Sequence, residues 1–423
     1  MAEQKLFASK TAFPTEIFEE ILDNFTNEKR ALRSCSLVDS TFCGICQRRL
    51  FRNVNLCEPE DASRFVNILK MRPHLGEYVR QLGIYDYADV ESGWSYWRYK
   101  SALPSLLRHL NRVRRIDLDG NDKDWEDMPP KLQEDFIHFL QSPSLLSIFL
   151  SNVLNFPLSA LSGTASLRKL SLNNISWVAS LPPSHKTRSL LPALKLDTLV
   201  LRLNDVPKSA GSPSISQSIN LSNLRRLSLS TSNASCINSC LQRCGNALED
   251  LYIFTSAPTV STFHYNGRTT SLVQSHRSGF SVSLEQLSGL KMLAVRTTLR
   301  NTFESEQSGM RYMTSFPWLI DLLQTLPPYP SNSLSNIIIH LRANFRTPEQ
   351  LREVDWSDFA AALTSRSLAR LRHVEFRLWT PEYFDFLEVV DAFRASAPLC
   401  KLMDKGLLSI QGDTKTTSDV AWW

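Results

Sequence analysis

Apolar residues recur along this chain with two alternating periods. Blocks of the form Leu-x-x-Leu-x-Leu, with conservative replacements, begin at Val79, Val113, Leu145, Leu167, Leu196, Leu224, Leu248, Leu290, Leu334 and Leu371. Each block alternates apolar and polar positions, the pattern of a short β-strand with one buried face. Between the blocks the spacing changes to three and four residues. It predicts helices over Ala102–Asn111, Pro130–Gln141, Ala234–Cys244, Pro317–Leu326, Trp356–Ser365 and Glu382–Ala397.

The last apolar residue of each block serves as a ruler. From Leu118 through Leu150, Leu172, Leu201 and Leu229 to Ile253 the gaps are 32, 22, 29, 28 and 24 residues. They centre on the roughly 20–29 residues of leucine-rich repeats. The next gaps, to Val295 and Ile339, stretch to 42 and 44 residues. A strand–helix unit of this size cannot bury its apolar face alone and must stack on its neighbours. The expected fold class is therefore α/β: an irregular leucine-rich-repeat solenoid with a parallel strand ladder, helices on its outer side and inserted loops. The Ser-, Pro- and Gly-rich segment Asn204–Asn220, together with Thr255–Ser283 and Arg300–Thr314, supplies such loops.

The amino-terminal stretch FPTEIFEEILDNFTNEKRALRSCSLVDSTFCGICQRRL, residues 13–50, has a different organisation. Pro14 suits a first helical turn, and Glu16, Glu19 and Glu20 complement the helix dipole there. Ile17, Phe18, Ile21, Leu22 and Phe25 make an apolar face. A second helix is expected from about Glu28 to Leu37. A third, capped by Asp39 or Ser40, would carry Phe42, Ile45, Leu50 and Phe51. Three such helices cannot bury enough surface to stand alone. Leu50–Leu56 follows as a first short strand.

In these positions the stretch resembles an F-box. Such modules begin with Leu-Pro, an acidic residue two positions on and an apolar helix, then carry Leu-x-x-x-x-Leu-Val and an aromatic. Phe13-Pro14, Glu16, Ile17, Ile21, Leu32, Leu37-Val38 and Phe42 correspond, with Phe13 in place of Leu and Phe42 where Trp is common. The strand-like LFRNVNL and the phrase MRPHLGEYVRQLGI are similar to segments of fungal, basidiomycete-type F-box proteins. The resemblance covers about the first 85 residues. It implies that Phe13, Pro14, Glu16, Ile17, Ile21, Leu32, Leu37, Val38 and Phe42 meet a Skp-type adaptor, and through it a cullin scaffold. The solenoid would then present a protein substrate for ubiquitin transfer. The alternative is a non-catalytic solenoid scaffold whose helices only cap the fold. The organisation expected is an F-box-like module at 11–52, a connector with first irregular repeats at 53–112, the solenoid at 113–412 and a tail at 413–423.

Composition adds mainly exclusions. The chain has 423 residues, 43% apolar and 21% charged. It lacks an apolar run of the roughly 18 residues needed to span a bilayer. No phosphate-binding Gly loop, GxSxG elbow or His-Glu-x-x-His motif occurs, and the eight histidines are scattered. An enzyme is not expected, nor is a cofactor. Cys43-Gly44-Ile45-Cys46 has the spacing of a zinc half-site, but no second pair follows, so no metal is expected. Cys236, Cys240 and Cys244 fall on one helix face and suit a core. Without a signal peptide at the start, the eight cysteines are expected to be thiols in the cytoplasm or nucleus. The net charge of +5 is spread among acids, which argues against nucleic acid.

The candidate substrate surface is the outward face of the strand ladder. Its candidate contacts are Arg115, Phe149, Lys169, Arg202, Arg226, Tyr252, Phe254, Arg296, His340 and Arg377. The aromatics among them are expected either in a solvent-facing position, as a hot spot ringed by arginines, or covered by the inserted loops. The aromatic run with Trp94, Tyr96, Trp97 and Tyr99 is expected to seal the helical module to the solenoid, the alternative being a recognition loop.

Overall fold

The computed structural model of the protein describes residues 14–25, 28–85, 102–161, 163–178, 194–203, 219–231, 234–254, 263–265, 268–270, 282–300, 316–344, 351–352, 354–379 and 385–412. Two compact units are formed. The first comprises Met1–Leu167 and Ile175–Pro192, the second Arg168–Asn174 and Ala193–Trp423. Phe13, the Trp94–Tyr99 aromatic run, most of the three inserted loops and the terminal Trp pair lie outside the described residues.

The first unit opens with three helices, α1 (Thr15–Asp23), α2 (Lys29–Cys35) and α3 (Ser40–Leu50). Asp39 caps α3 by accepting a hydrogen bond from the Thr41 N–H at 2.6 Å. Strand β1 (Asn53–Leu56), helix α4 (Pro59–Met71), strand β2 (Gln81–Tyr85), helix α5 (Leu103–His109), strand β3 (Arg115–Asp124), helix α6 (Pro130–Leu140) and strand β4 (Ser147–Leu154) follow. Helix α4 starts with a capping box between Glu58 and Asp61 and has Pro59 in its first turn. Strands β1 to β4 pair in parallel, in sequence order. The expected strand at Leu50–Leu56 thus begins only at Asn53, because Leu50 completes α3.

The second unit continues the same alternation. Its ladder strands are β5 (Lys169–Asn173), β6 (Thr198–Arg202), β7 (Arg226–Ser230), β8 (Asp250–Phe254), β9 (Met292–Arg300), β10 (Asn336–Asn344), β11 (His373–Trp379) and β12 (Leu408–Gly412). Every neighbouring pair among them is parallel. Its helices are α7 (Ala234–Cys244), α8 (Phe316–Gln324), α9 (Ser357–Leu363), α10 (Phe386–Arg394) and α11 (Ala397–Asp404). The helix expected over Glu382–Ala397 is α10, ending at Arg394, and α11 follows it as a further helix that was not expected. Ser396 is the N-cap of α11 and Pro398 lies in its first turn, where proline is tolerated but ends the preceding helix.

One device recurs along the ladder of each unit. The carbonyl of the residue just before a strand accepts hydrogen bonds from two successive N–H groups of the next strand. In the first unit Arg52, Arg80 and Arg114 do this; in the second, Arg168, Asp197, Arg225, Glu249, Lys291 and Ser335 do, at 2.8–3.2 Å. The Leu-x-Leu positions then stack in columns. Leu82, Ile116 and Ile148 are no more than 1% exposed in the first unit, as are Leu170, Leu199, Leu227, Leu251, Leu293, Ile337 and Val374 in the second. Each fully buried side chain of this kind is worth about 1.5–3 kcal/mol. Towards the carboxy end the core turns aromatic. Trp356, 1% exposed, has ring centroids 5.4 Å from Phe393, 6.0 Å from Phe376 and 6.2 Å from Phe359.

Candidate functional site

Helix α1 divides its apolar residues between two faces. Phe18 and Leu22, one turn apart, point into the helical module, where Leu22, Leu32, Ile45 and Cys46 form the core. Phe25, Cys35, Phe42 and Leu50 pack around them. Ile17 and Ile21, also one turn apart, are 41% and 48% exposed. Beyond the end of α2, Leu37 is 87% and Val38 72% exposed. Two guanidiniums tie α3 to α1: Arg49 donates to Asp23 at 2.6 Å and Arg48 to Glu19 at 2.8 Å.

The residues expected to meet an adaptor are thus not equivalent. Pro14, Glu16, Ile17, Ile21, Leu37 and Val38 are exposed, and Phe42 is half-buried against Phe18. Leu32 is 1% exposed and belongs to the module's own core, so it offers no contact surface. The Cys43–Cys46 pair is split as well: Cys46 fills the core, and Cys43 Sγ accepts from Gln47 Nε2 at 3.3 Å. Among the described residues no group of three or more His, Cys, Asp or Glu could hold a metal ion. No helix among them is long and apolar enough to cross a membrane.

On the ladder of the first unit, Arg115 and Phe149 are both half-buried. Arg115 Nε donates to Asp117 Oδ1 and Gln81 Nε2 to Asp117 Oδ2, each at 2.7 Å. The Asp117 carboxylate is only 3% exposed, and these two donors are what make its burial tolerable. Phe149 lies directly opposite Asp117 in the register.

The ladder of the second unit carries the other eight candidates. Lys169, Arg202, Arg226, Arg296 and Arg377 are half-buried. Tyr252 and Phe254 are 8% and 7% exposed and His340 is 4% exposed, which corrects the expectation of solvent-facing aromatics. They are buried because the register brings apolar groups from three strands together: Tyr252, Phe254 and Ala294 cluster, with Met292 and Ile338 packed against them. Burial pushes the Tyr252 hydroxyl up to about 12. Burial, together with the Arg377 and Arg296 guanidiniums, lowers His340 to about 3.

Register aligns these residues into rows. Phe254, Arg296, His340, Arg377 and Gln411 occupy one row across five strands. The Arg296 guanidinium lies 5.5 Å from the Phe254 ring centroid. Two residues further along, Arg342 faces Trp379, with its guanidinium 4.4 Å from the ring. Neither Arg342 nor Trp379 was among the sequence candidates. Both continue the two-residue alternation beyond His340 and Arg377, a signal present in the sequence. Glu375, 7% exposed, accepts from Arg377 Nε at 2.7 Å and from its Nη2 at 3.2 Å.

No family model matches the chain, and no curated protein matches it. Among solved structures it is similar to an internalin from Listeria monocytogenes, at 12% sequence identity and a TM-score of 0.33. The match covers 79% of this chain and 72% of that one. So distant a likeness carries no functional argument, and the description of the fold rests on the ladder itself: a mixed α/β chain with parallel strands in leucine-rich-repeat style.

Proposed function

We propose that this chain is a protein-recognition subunit, with an F-box-like module that docks a Skp-type adaptor and a ladder that holds a protein substrate. Through the adaptor it would join a cullin scaffold, and the substrate would be presented for ubiquitin transfer. Its contribution to the reaction is positional: tethering raises the effective concentration of substrate lysines near the transferring enzyme.

The observation that carries this reading is the exposure of Ile17, Ile21, Leu37 and Val38 on a module whose core is already complete without them. Exposed aliphatic side chains of this kind lose free energy to hydration, and a partner that covers them recovers about 1.5–3 kcal/mol for each one fully buried. They coincide with the positions at which the F-box resemblance places adaptor contacts.

The test is co-purification of the full chain with a Skp-type adaptor, beside Leu37→Asp. The wild type is expected to capture the adaptor, and the variant to lose it with an unchanged melting temperature. A folded wild type that ignores the adaptor would overturn the docking reading and leave a solenoid scaffold capped by three helices.

A further inference from the structure

Three arginines of the first unit stand at one register position. Arg52, Arg80 and Arg114 each occupy the residue just before a strand, where the carbonyl of one accepts from the N–H of the next. Parallel strands lie about 4.8 Å apart, so the column spans about 10 Å. Arg112 stands two residues before Arg114. Arg52 and Arg114 are exposed and Arg80 is half-buried. Among the described residues no carboxylate pairs with these three. The one ion pair in the group joins Arg112 to Glu77 at 3.5 Å, with both side chains more than half exposed. Arg80 donates to the Glu77 and Val79 carbonyls, which carry no net charge. Burial holds its guanidinium below the ordinary arginine range, and the Arg114, Arg112 and Arg52 charges push it the same way against Glu77. Among the described residues, four guanidiniums thus share one exposed carboxylate.

The fold does not require arginine there. What fixes the neighbouring strand is a backbone carbonyl, which any residue supplies. The second unit fills the same position with Arg168, Asp197, Arg225, Glu249, Lys291 and Ser335. There opposite charges pair: Glu249 lies 3.4 Å from Arg225 and 3.1 Å from Lys291. Like charges side by side across strands are destabilising, and in the first unit no acid alternates with the arginines. The nearby Asp117 is already spent on Arg115 and Gln81. The cations are strung along a line, one to each strand, so spaced carboxylates match them better than one compact anion. On one face of a helix, residues at i, i+3 or i+4 and i+7 rise about 10 Å along the axis, the length of the column. The next position in the column is Leu146, apolar and 40% exposed, which an apolar residue one turn further on would cover. Nucleic acid carries its charges along a continuous strand and needs a longer stripe of cations.

We propose that Arg52, Arg80 and Arg114, with Arg112 beside them, bind a helix of a protein partner that carries a stripe of carboxylates on one face. This rests on reading the chain as a protein-recognition subunit and does not depend on adaptor docking. None of the four arginines is among the ten candidate substrate contacts.

The experiment measures binding to the full chain by fluorescence anisotropy. The probe is a dye-labelled, alanine-rich helical peptide of about 20 residues, with glutamates at i, i+3 and i+7 and a leucine at i+11. Wild type is expected to bind it, with affinity falling as salt screens the charges. A peptide of the same composition with its glutamates spread around the helix is expected to bind about tenfold more weakly. Arg52→Gln with Arg114→Gln is expected to weaken binding of the striped peptide about tenfold or more, the scale of two charge-assisted contacts. Arg168→Gln with Arg225→Gln, at the same register position in the second unit, is expected to leave it unchanged. Should the first double variant fail to fold, Arg114→Gln alone, at an exposed position, is expected to weaken binding measurably. No binding of the striped peptide at up to about 1 mM would overturn the proposal. So would equal binding of the two peptides, equal binding by wild type and the Arg52/Arg114 variants, or equal loss in the Arg168/Arg225 control. Tighter binding of a phosphoserine peptide or of oligothymidylate at equal charge would also overturn it, since the site would then be one for phosphate. Adaptor capture by the same preparations keeps the two readings apart. Peptide binding without capture overturns only the docking reading; capture without peptide binding overturns only this one.

Discussion

The rings of Phe18 and Phe42 lie 4.6 Å apart, centroid to centroid, at 51°, and join α1 to α3. Phe42 therefore holds the module together from a half-buried position, whereas Leu37 contributes almost nothing to its interior. Phe42→Ala is expected to destabilise the module by about 1–3 kcal/mol, a half-buried aromatic pair being worth less than a full core deletion. Leu37→Asp is expected to stay within about 0.5 kcal/mol of wild type, as surface substitutions do. Limited proteolysis at residues 14–50 distinguishes them: accelerated cleavage in the Leu37 variant would contradict its assignment as a surface position.

A larger effect is expected at the carboxy end. Trp356 sits among Phe359, Phe376 and Phe393, and its Nε1 donates to the Leu351 carbonyl at 3.4 Å. Trp356→Ala removes the hub of this cluster and leaves a cavity, at a cost of about 3–5 kcal/mol. Urea denaturation checks it, through a lowered midpoint at similar slope. A midpoint shift of under about 1 kcal/mol would mean the cluster collapses around the gap.

Much of this was legible in the sequence. The Leu-x-Leu columns were, because alternation needs only local information; so was α7, whose residues Ala234–Cys244 match the expected helix at both ends. The end of α10 was legible to within three residues, whereas α11 beyond Pro398 was not expected at all. The burial of Tyr252, Phe254 and His340 is left open by the sequence. It arises from strands some 40 residues apart being brought into register, and no local pattern encodes that. In the helical module, the apolar stripe of α1 is legible. Which half of it faces inward is decided by contacts with α2 and α3; Leu32, on α2, was placed among the adaptor contacts by the F-box resemblance, and its burial comes from the same packing.

The buried imidazole of His340 gives a dependence on pH. In the unfolded chain it takes up a proton near 6.5; in the folded protein burial and the neighbouring Arg377 and Arg296 delay this to about 3. Between those values the unfolded state binds more protons, so this group's contribution falls as the pH is lowered through that window and is fully present above it. The upper limit of the slope is about 1.4 kcal/mol per pH unit. His340→Gln is expected to show a smaller difference between urea midpoints at about pH 7 and about pH 5 than wild type does. Equal differences would show that His340 is protonated in the fold.

Gly76 supplies a further test. A Cβ there would stand 2.6 Å from the His109 carbonyl oxygen, a backbone atom that cannot swing aside. Gly76→Ala is expected to destabilise the first unit by about 1–3 kcal/mol, the range for overpacking. An unchanged thermal midpoint would show that the turn at Pro73–Tyr78 shifts freely.

Where a strand is fixed by the carbonyl just before its neighbour's start, its position owes nothing to the length of chain that leads to it. Ile253 and Val295 are separated by 42 residues and Leu229 and Ile253 by 24, yet both pairs stand in direct register. Connections can therefore lengthen or shorten without moving the surface they leave behind. That surface can be recoded one side chain at a time, so the partner recognised and the loops around it are free to change independently.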